Sequence, residues 1–454
     1  MRTIAAISTS PGIGGIGIVR ISGKNAFEVV NKIFKPKNNN KIAGYTMKYG
    51  YIINPKTQKI VDEVLVSYFV EPKSYTTENM CEINSHGSNI VMKEILELCL
   101  ENGAELAEPG EFTKKAFLNG RIDLSQAEAV IELINSKTEK EAEASINQLE
   151  GFLKEEINSI KSKILDVLTD IEASIDYPEY DIEEITNENA SKKLKEIELS
   201  LQKLESSFKD GKIIREGIKT AIIGTPNAGK SSLLNAILRE DRAIVTEIEG
   251  TTRDTIEEFI TIKGIPIKII DTAGIREAND EVERIGIKKS RQIAESSDLV
   301  IAIFDSSKEL SEDDKEILDL IKNKNSIIIL NKIDLNERKI DENYLKKFGK
   351  EIIEMSALKK QGIEELYSKI EKMFKINEIN LSDGVTITNV RHAELIRKAR
   401  EYSIKAQETI KNSMPIDVIA IDIKEIINCL NNITGENATE DIINEIFKKF
   451  CLGK

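Results

Sequence analysis

Through residue 118 or so the chain alternates apolar and polar positions in short runs. "TIAAIST", "GIGIVRIS", "MKYGYIIN" and "VDEVLVSYFV" have a period of two and predict strands. "NIVMKEILELCLENG" changes to a spacing of three and four and stops on Gly103, which predicts a helix and its end. From Ser125 the helical spacing continues through "SQAEAVIELINSKTEKEAEASINQLEGFLKEEINSIKSKILDVLTDIEASID" almost without breakers, predicting long amphipathic helix. A further helix is expected over about 188–210. At Ile218 the texture changes. "KTAIIG", "IPIKIIDTAG", "DLVIAIFD" and "SIIILNKID" are apolar runs separated by helical segments, the pattern of a parallel sheet wrapped by helices. Beyond about residue 378 helical spacing returns in "AELIRKAREYSIKAQETIKN", "VIAIDIKEIINCLNNITG" and "TEDIINEIFKKFC".

Helices on both sides of the α/β block predict one helical domain, discontinuous in sequence, with the α/β domain inserted into it. The fold class expected is multidomain, α+β and α/β. The division is 1–118, an N-terminal α+β domain; 119–216 and 378–454, two parts of the helical domain; and 217–377, the inserted domain. A length of 454 residues suits several cores better than one.

Composition trims the possibilities. The chain is 40% hydrophobic and 31% charged, and no run approaches the ~18 consecutive apolar residues of a membrane helix. The opening "MRTIAAISTSPG" has no apolar signal core, so a cytoplasmic location away from membranes is expected. Cysteines stand at 81, 99, 429 and 451 with no C-x-x-C pair, and the histidines are His86 and His392. That argues against a zinc site or a disulfide framework. A net charge of −13 argues against coating nucleic acid without specificity. The charge is uneven: residues 1–60 hold ten Lys/Arg and one acidic residue, Glu28, whereas 170–188 is rich in Asp and Glu. A basic local face is compatible with one structured RNA or a polyanionic cofactor, and an ordinary solvated face is the simpler account.

The candidate chemistry centres on "GTPNAGKSS", a G-x-x-x-x-G-K-S motif between an expected strand and the helix "SSLLNAIL". Gly224 and Gly229 let backbone amides curl around phosphates, Lys230 brings charge to the β and γ phosphates, and Ser231 offers a hydroxyl to Mg²⁺. Three motifs follow in order. "DTAG" (Asp271, Thr272, Ala273, Gly274) can reach magnesium through water and sense the γ-phosphate. "NKID" places Asn331, Lys332 and Asp334 at a strand end, where the Asp334 carboxylate can accept two hydrogen bonds from guanine that adenine cannot supply. "SAL" (Ser356, Ala357, Leu358) can aim a backbone N–H at the guanine O6. Together they predict GTP binding. After "DTAG" stands Ile275, whose side chain cannot orient the attacking water, so another residue must. Arg253 and Arg276 are candidate fingers, with surface ion pairs as the simpler reading. Asn227 offers an amide oxygen that can ligate a monovalent cation beside the phosphates.

Two other features need care. "GIGGIG" satisfies G-x-G-x-x-G, but its glycines run into the β-branched "IVRIS" rather than a helix, so a tight turn between strands is expected. His86 in "NSHGS" is expected to be structural, at a turn. The final "CLGK" has cysteine fourth from the end, yet Gly453 and Lys454 do not fit a prenylation box. A buried thiol and a reactive group on a folded-back tail remain the alternatives.

"GTPNAGKSSLLNAIL", "AIVTEIEGTTRDT", "DTAGIREANDEVERIGI", "PGEFTKKAFLNGRIDLSQAEAV" and the terminal "FCLGK" together resemble the tRNA modification GTPase MnmE (TrmE) family over essentially the whole chain. The resemblance implies a Ras-like GTPase domain whose nucleotide contacts also include Ala228, Ser232, Thr246, Glu247, Ile248, Glu249, Gly250, Thr251 and Thr252. Asn227, Thr246, Ile248 and Thr251 match potassium ligands, Ser231 and Thr252 match magnesium ligands, and Glu283 matches the carboxylate that positions water. It implies G domains that meet across a dimer when GTP binds, with potassium-stimulated hydrolysis of GTP to GDP and phosphate. It assigns the N-terminal domain to a folate-binding fold that also mediates homodimerisation. There Arg20, Glu82 and Arg121 match contacts to 5-formyl-tetrahydrofolate, and Cys451 and Lys454 belong to a tail brought close to it. Finally, it implies a heterotetramer with an FAD-dependent partner, MnmG (GidA). That assembly adds an aminomethyl-type group, or its carboxymethyl form, to C5 of the wobble uridine (position 34) of certain tRNAs, with 5,10-methylene-tetrahydrofolate as one-carbon donor. The alternatives are a ribosome-assembly or signalling GTPase switch and a stand-alone folate-dependent methyltransferase.

Overall fold

The computed structural model describes residues 2–38, 41–42, 44–176, 183–238, 243–245, 258–270, 291–335, 337–378 and 385–454. They divide into two compact units: Met1–Ile131, Gln148–Leu165 and Ile423–Lys454 form one, and Glu132–Asn147 and Asp166–Asp422 the other. No helix among the described residues is long and apolar enough to cross a membrane.

The first unit contains strands β1 (Ile4–Ile7), β2 (Gly14–Ser22), β3 (Phe34–Pro36), β4 (Thr46–Ile53), β5 (Ile60–Phe69), β6 (Met80–Gly87) and β7 (Glu105–Leu106). They form one sheet in the order β3-β4-β5-β6-β2-β1-β7. Its pairings are antiparallel except that of β7 with β1. Val19 and Ile21 of β2 and Cys81 and Ile83 of β6 pack in one core with Val29, Ile33, Ile95 and Leu98. The last four come from the helices Ala26–Ile33 and Asn89–Glu101. Because side chains alternate along a strand, Arg20 and Glu82 belong to the other face, and the register sets them directly opposite each other. β6 escaped the apolar pattern because Glu82, Asn84 and His86 alternate with buried Cys81, Ile83 and Ser85. His86 accordingly lies on a strand, not at the expected turn. The glycines of "GIGGIG" lead into β2 with a register shift between Gly14 and Gly17. At Gly17 an added Cβ would strike Met92 of the overlying helix.

The long helix expected from Ser125 is three helices: Leu124–Asn135, Glu139–Glu150 and Phe152–Asp176. Two local devices interrupt it. Ser136 donates its hydroxyl to the Leu133 carbonyl (2.8 Å), and the Thr138 hydroxyl accepts from the Glu141 amide (3.2 Å), ending one helix and capping the next. Gly151 then takes a φ of +100°, open to glycine. Asp123 caps the first of the three through its carboxylate and the Gln126 amide (2.8 Å), while the Gln126 side chain accepts from the Asp123 N–H (3.0 Å). Phe447 and Phe450, at and just beyond the end of the helix Glu440–Lys448, share a cluster with Ala116, Leu124 and Ala127. The last residues are thereby packed within the N-terminal unit.

In the second unit the helix expected over 188–210 runs Glu183–Glu216 and packs on Val390–Lys411. Ser403 donates to the Leu194 carbonyl (3.2 Å) and Arg400 pairs with Glu205 (2.8 Å), so helices from before and after the α/β segment lie against each other. That segment contributes β8 (Ile218–Ile223), β9 (Ala243–Val245), β10 (Glu258–Ile262), β11 (Ile265–Ile269), β12 (Leu299–Asp305), β13 (Ser326–Asn331) and β14 (Glu351–Glu354). Their order is β14-β13-β12-β8-β11-β10-β9. Neighbours pair in parallel from β14 to β11, and only β10 is antiparallel, to β11 and β9. The run "LVIAIF" in β12 explains its own place. Leu299, Ile301 and Ile303 enter one core, and Val300, Ala302 and Phe304 enter the core on the other face.

Candidate functional sites: the nucleotide loops and the N-terminal cavity

The nucleotide loop leaves β8 and returns as the helix Lys230–Leu238. Gly224 is tight against the backbone of β12, since a Cβ there would collide with the Ile303 carbonyl. Asn227 and Gly229 hold positive φ values of +61° and +107°, which curl the loop. A Cβ on Gly229 would strike the Asn331 amide, and that amide is a structural hub. Asn331 Nδ2 donates to the Ala228 carbonyl (2.8 Å) and its Oδ1 accepts from the Ala357 amide (3.0 Å). One buried side chain thus ties the phosphate loop to the "SAL" loop. Lys230 Nζ donates to the carbonyls of Gly224 (2.8 Å) and Thr225 (2.9 Å), and burial lowers its pKa. A buried cation beside a curled glycine loop favours a polyanion.

The guanine-reading loop is braced in the same way. Asp334 Oδ1 accepts from the Ser356 hydroxyl (2.6 Å), and this hydrogen bond is the main cause lowering its pKa. The ionised carboxylate is the form that can accept two donors from one base edge. Lys332 donates to Asp305 at the end of β12 (2.6 Å). Burial pushes the Asp305 carboxyl up, but the hydrogen bonds from Lys332 and Ser307 outweigh it and hold the pKa below its ordinary value. A further brace carries no signal in the motif itself: Thr225 donates to Asp314 (3.1 Å), whose other oxygen caps the helix Glu312–Ile321 through Ser311. Thr246, Glu247, Ile248, Glu249, Gly250, Thr251, Thr252, Asp271, Thr272, Ala273, Gly274 and Glu283 lie outside the described residues, as do Arg253, Ile275 and Arg276. Among the expected potassium ligands only Asn227 is described, and among the magnesium ligands only Ser231.

The first unit carries a cavity of about 570 Å³ whose wall includes Tyr75, Met80, Glu82, Asn119 and Arg121. Arg20 stands behind Glu82, with Nε and Nη2 on the same oxygen, Oε1 (2.9 and 2.8 Å). Its guanidinium also lies 5.6 Å from the Phe112 ring and 5.8 Å from that of Tyr75. Arg121 crosses the same Tyr75 ring at 4.8 Å and donates to the Tyr75 carbonyl (3.2 Å). The Tyr75 hydroxyl meets Thr113 (2.9 Å). A carboxylate, a guanidinium and an aromatic ring in one wall suit a flat heterocycle carrying amide-like edges and an anionic tail.

The C-terminal tail reaches this wall from behind. The Gly453 carbonyl accepts from Ser8 Oγ (3.0 Å) and Arg20 Nη1 (3.2 Å). The Cys451 and Lys454 carbonyls accept from the Gly110 and Phe112 amides at the start of the helix Glu111–Leu118, groups that helix geometry leaves without partners (3.3 and 3.2 Å). Cys451 is exposed, whereas Cys81, Cys99 and Cys429 are buried. Neither Cys451 nor Lys454 is among the residues lining the cavity. Glu82 and Arg121 are brought together there, Arg20 lies one contact away, and Ser8, Tyr75, Phe112 and Gly453 complete an arrangement the sequence did not announce.

Residues 3–121 match the family model described as the GTP-binding protein TrmE N-terminus, and residues 124–451 match that of the MnmE helical domain. The tRNA modification GTPase MnmE of Acetivibrio thermocellus is 50% identical over 454 residues, covering 100% of this chain and 99% of that relative. The protein of the same name from Clostridioides difficile is 49% identical over 456 residues with the same coverage. A solved Aquifex aeolicus Era structure is 30% identical over 41% of this chain and 66% of its own, with a TM-score of 0.28. Two family models that together span nearly the whole chain, and full-length identity near one half, place it: the chain belongs to the tRNA modification GTPase MnmE family.

Proposed function

We propose that the chain hydrolyses GTP as one half of a tRNA-modifying assembly. Its FAD-dependent partner, MnmG (GidA), would complete a heterotetramer that adds a (carboxymethyl)aminomethyl group to C5 of the wobble uridine. The observation that supports this most is the presence, on one chain, of a phosphate loop and a "SAL" loop tied by Asn331 and of a cavity walled by Glu82 and Arg121. A switch GTPase needs the first and has no use for the second. The four segments 1–118, 119–216, 217–377 and 378–454 serve in this reading as the folate and dimerisation part, the two helical parts and the nucleotide part.

In the nucleotide part, the amides of the loop 224–229 and the Lys230 ammonium bind and orient the phosphates, and Asp334 selects guanine. The Ser231 hydroxyl and the matched Thr252 would hold magnesium, which would neutralise phosphate charge. The curl at Asn227 suits a potassium ion, which supplies the positive charge an arginine finger otherwise brings. Glu283 is the residue proposed to position water, on the strength of the sequence match alone. In the N-terminal part, Glu82 would accept from the amino-pyrimidine edge of a reduced folate, and Arg121 would meet its carbonyl or carboxylate groups. Cys451 would contact the one-carbon unit or act on it as a nucleophile. The working form is a homodimer in the cytoplasm.

The experiment is nucleoside analysis of tRNA from a strain lacking the protein. Loss of the C5 substituent on wobble uridines is expected, and normal wobble uridines would leave the ribosome-assembly or signalling switch in its place. Potassium against sodium in a turnover assay tests the cation separately, with equal rates removing it.

A further inference from the structure

The Gly453 carbonyl is an acceptor shared by Ser8 Oγ and Arg20 Nη1. Gly453 holds a φ of +87°, and a Cβ there would collide with the Ile7 carbonyl oxygen and press on the backbone of Ser8. Both obstacles are main chain, so they cannot swing away as a side chain could. The carbonyl can therefore sit where it does only if residue 453 is glycine. Arg20 uses Nε and Nη2 on Glu82 Oε1, which leaves Glu82 Oε2 to accept from a ligand in the cavity. A guanidinium is a rigid planar fork, and fixing Nη1 on the tail fixes the plane that presents the other two donors. Phe112, whose ring lies 5.6 Å from that guanidinium, has its own backbone amide bound by the Lys454 carbonyl.

From this we infer that Ser8 and Gly453 are positioning residues for the cavity: the tail's carbonyl locks Arg20, and Arg20 sets the orientation of Glu82. The inference rests on the folate reading of that cavity, and goes beyond it in giving the tail a role independent of the Cys451 sulfur. It predicts that an undocked tail weakens ligand binding even with its cysteine intact.

The test has two arms. In the first, a thiol-reactive fluorophore on Cys451 of the full chain reports tail mobility by anisotropy, because the other three cysteines are buried. Gly453→Ala is expected to free the tail and Ser8→Ala to loosen it, while Ser8→Thr restores the hydroxyl and the wild-type signal. In the second, unlabelled proteins are titrated with 5-formyl-tetrahydrofolate. Affinity should fall about three- to tenfold for Ser8→Ala, the loss of one hydrogen bond, and by at least about tenfold for Gly453→Ala. Melting curves of all variants guard against simple unfolding. If the wild-type protein does not bind the folate, the functional reading fails, while the first arm still decides whether Gly453 docks the tail. If the folate binds and Gly453→Ala frees the tail without weakening binding, the positioning role is wrong. An unchanged anisotropy in Gly453→Ala removes the lock itself.

Discussion

The nucleotide loops and the N-terminal cavity are assembled by opposite strategies. In the loops, each chemical group is carried by a short contiguous motif at the end of a parallel strand, and one buried amide, Asn331, joins two of the motifs. In the cavity wall and its support, Glu82, Arg20, Tyr75, Phe112 and Arg121 come from separate elements, and the tail at Gly453 arrives from the other end of the chain. A site built from local motifs stands or falls on single side chains whose role is visible in the sequence. A distributed site depends on sheet register and on distant packing, so it can be lost through residues that touch no ligand.

The largest effect should come from the local site. Lys230→Ala removes the one buried ammonium of the phosphate loop, and GTP turnover is expected to fall about a hundredfold or more. Folate binding measured on the same protein should not change, and a parallel loss of both would break the contrast between the two sites. Asn331→Ala comes next. It strands the Ala228 carbonyl and the Ala357 amide, each unpaired buried group costing about 1–3 kcal/mol. Weaker GTP binding together with a lower melting temperature is expected. Asn331→Asp sharpens the point, because it keeps the acceptor for Ala357 but sets a carboxylate against the Ala228 carbonyl. If the aspartate variant melts and binds like wild type, the bridging role is wrong.

For the distributed site, Glu82→Ala removes a wall carboxylate and leaves the largely buried Arg20 without its partner. A loss of about 1.5–3 kcal/mol in stability is expected, with folate affinity reduced by about tenfold or more. Glu82→Gln retains an acceptor for Arg20 and should recover most of the stability but little of the binding. Stability and binding that fall together in both variants would mean that the pair is structural only.

What could be read beforehand follows the same division. The glycines, lysine and carboxylate of the GTP motifs were legible because phosphate and guanine recognition needs those residue types at fixed spacings. The parallel sheet around them was legible in apolar runs such as "LVIAIF", which must be covered on both faces, but its strand order was not. Asn331 was visible as part of "NKID", but not as a bridge to Ala228 and Ala357, because those contacts span 103 and 26 residues of sequence. In the N-terminal unit the alternation announced several strands and missed β6, where Glu82, Asn84 and His86 masked the buried set. Arg20, Glu82 and Arg121 were named through the family resemblance, since neither periodicity nor composition pairs positions 20 and 82. Only the register of β2 on β6 does so. The three-way break of the long helix was written in Ser136, Thr138 and Gly151, but such residues also occur within helices, and tertiary packing decides between the two outcomes.

The smallest effect probes the outer part of the same sheet, where a histidine on β6 meets a carboxylate on β5. His86 Nδ1 lies 2.7 Å from Asp62 Oδ1, and its backbone N–H donates to Asp62 Oδ2 (2.8 Å). The hydrogen bond to Asp62, then the attraction of its charge and that of Glu63, raise the His86 pKa above 6.5. A raised histidine pKa contributes stability that is fully present below the unfolded value and is lost as pH rises through the folded one. The gap in melting temperature between wild type and His86→Gln should therefore be widest below about pH 6.5 and shrink as the pH rises above it. The imidazole is exposed, so solvent screening limits the gap to about a degree. The glutamine variant keeps the backbone bond to Asp62, which isolates the charged contact from the strand pairing. A gap that widens with rising pH would reverse the sign and show that Asp62 is not what holds the proton on His86.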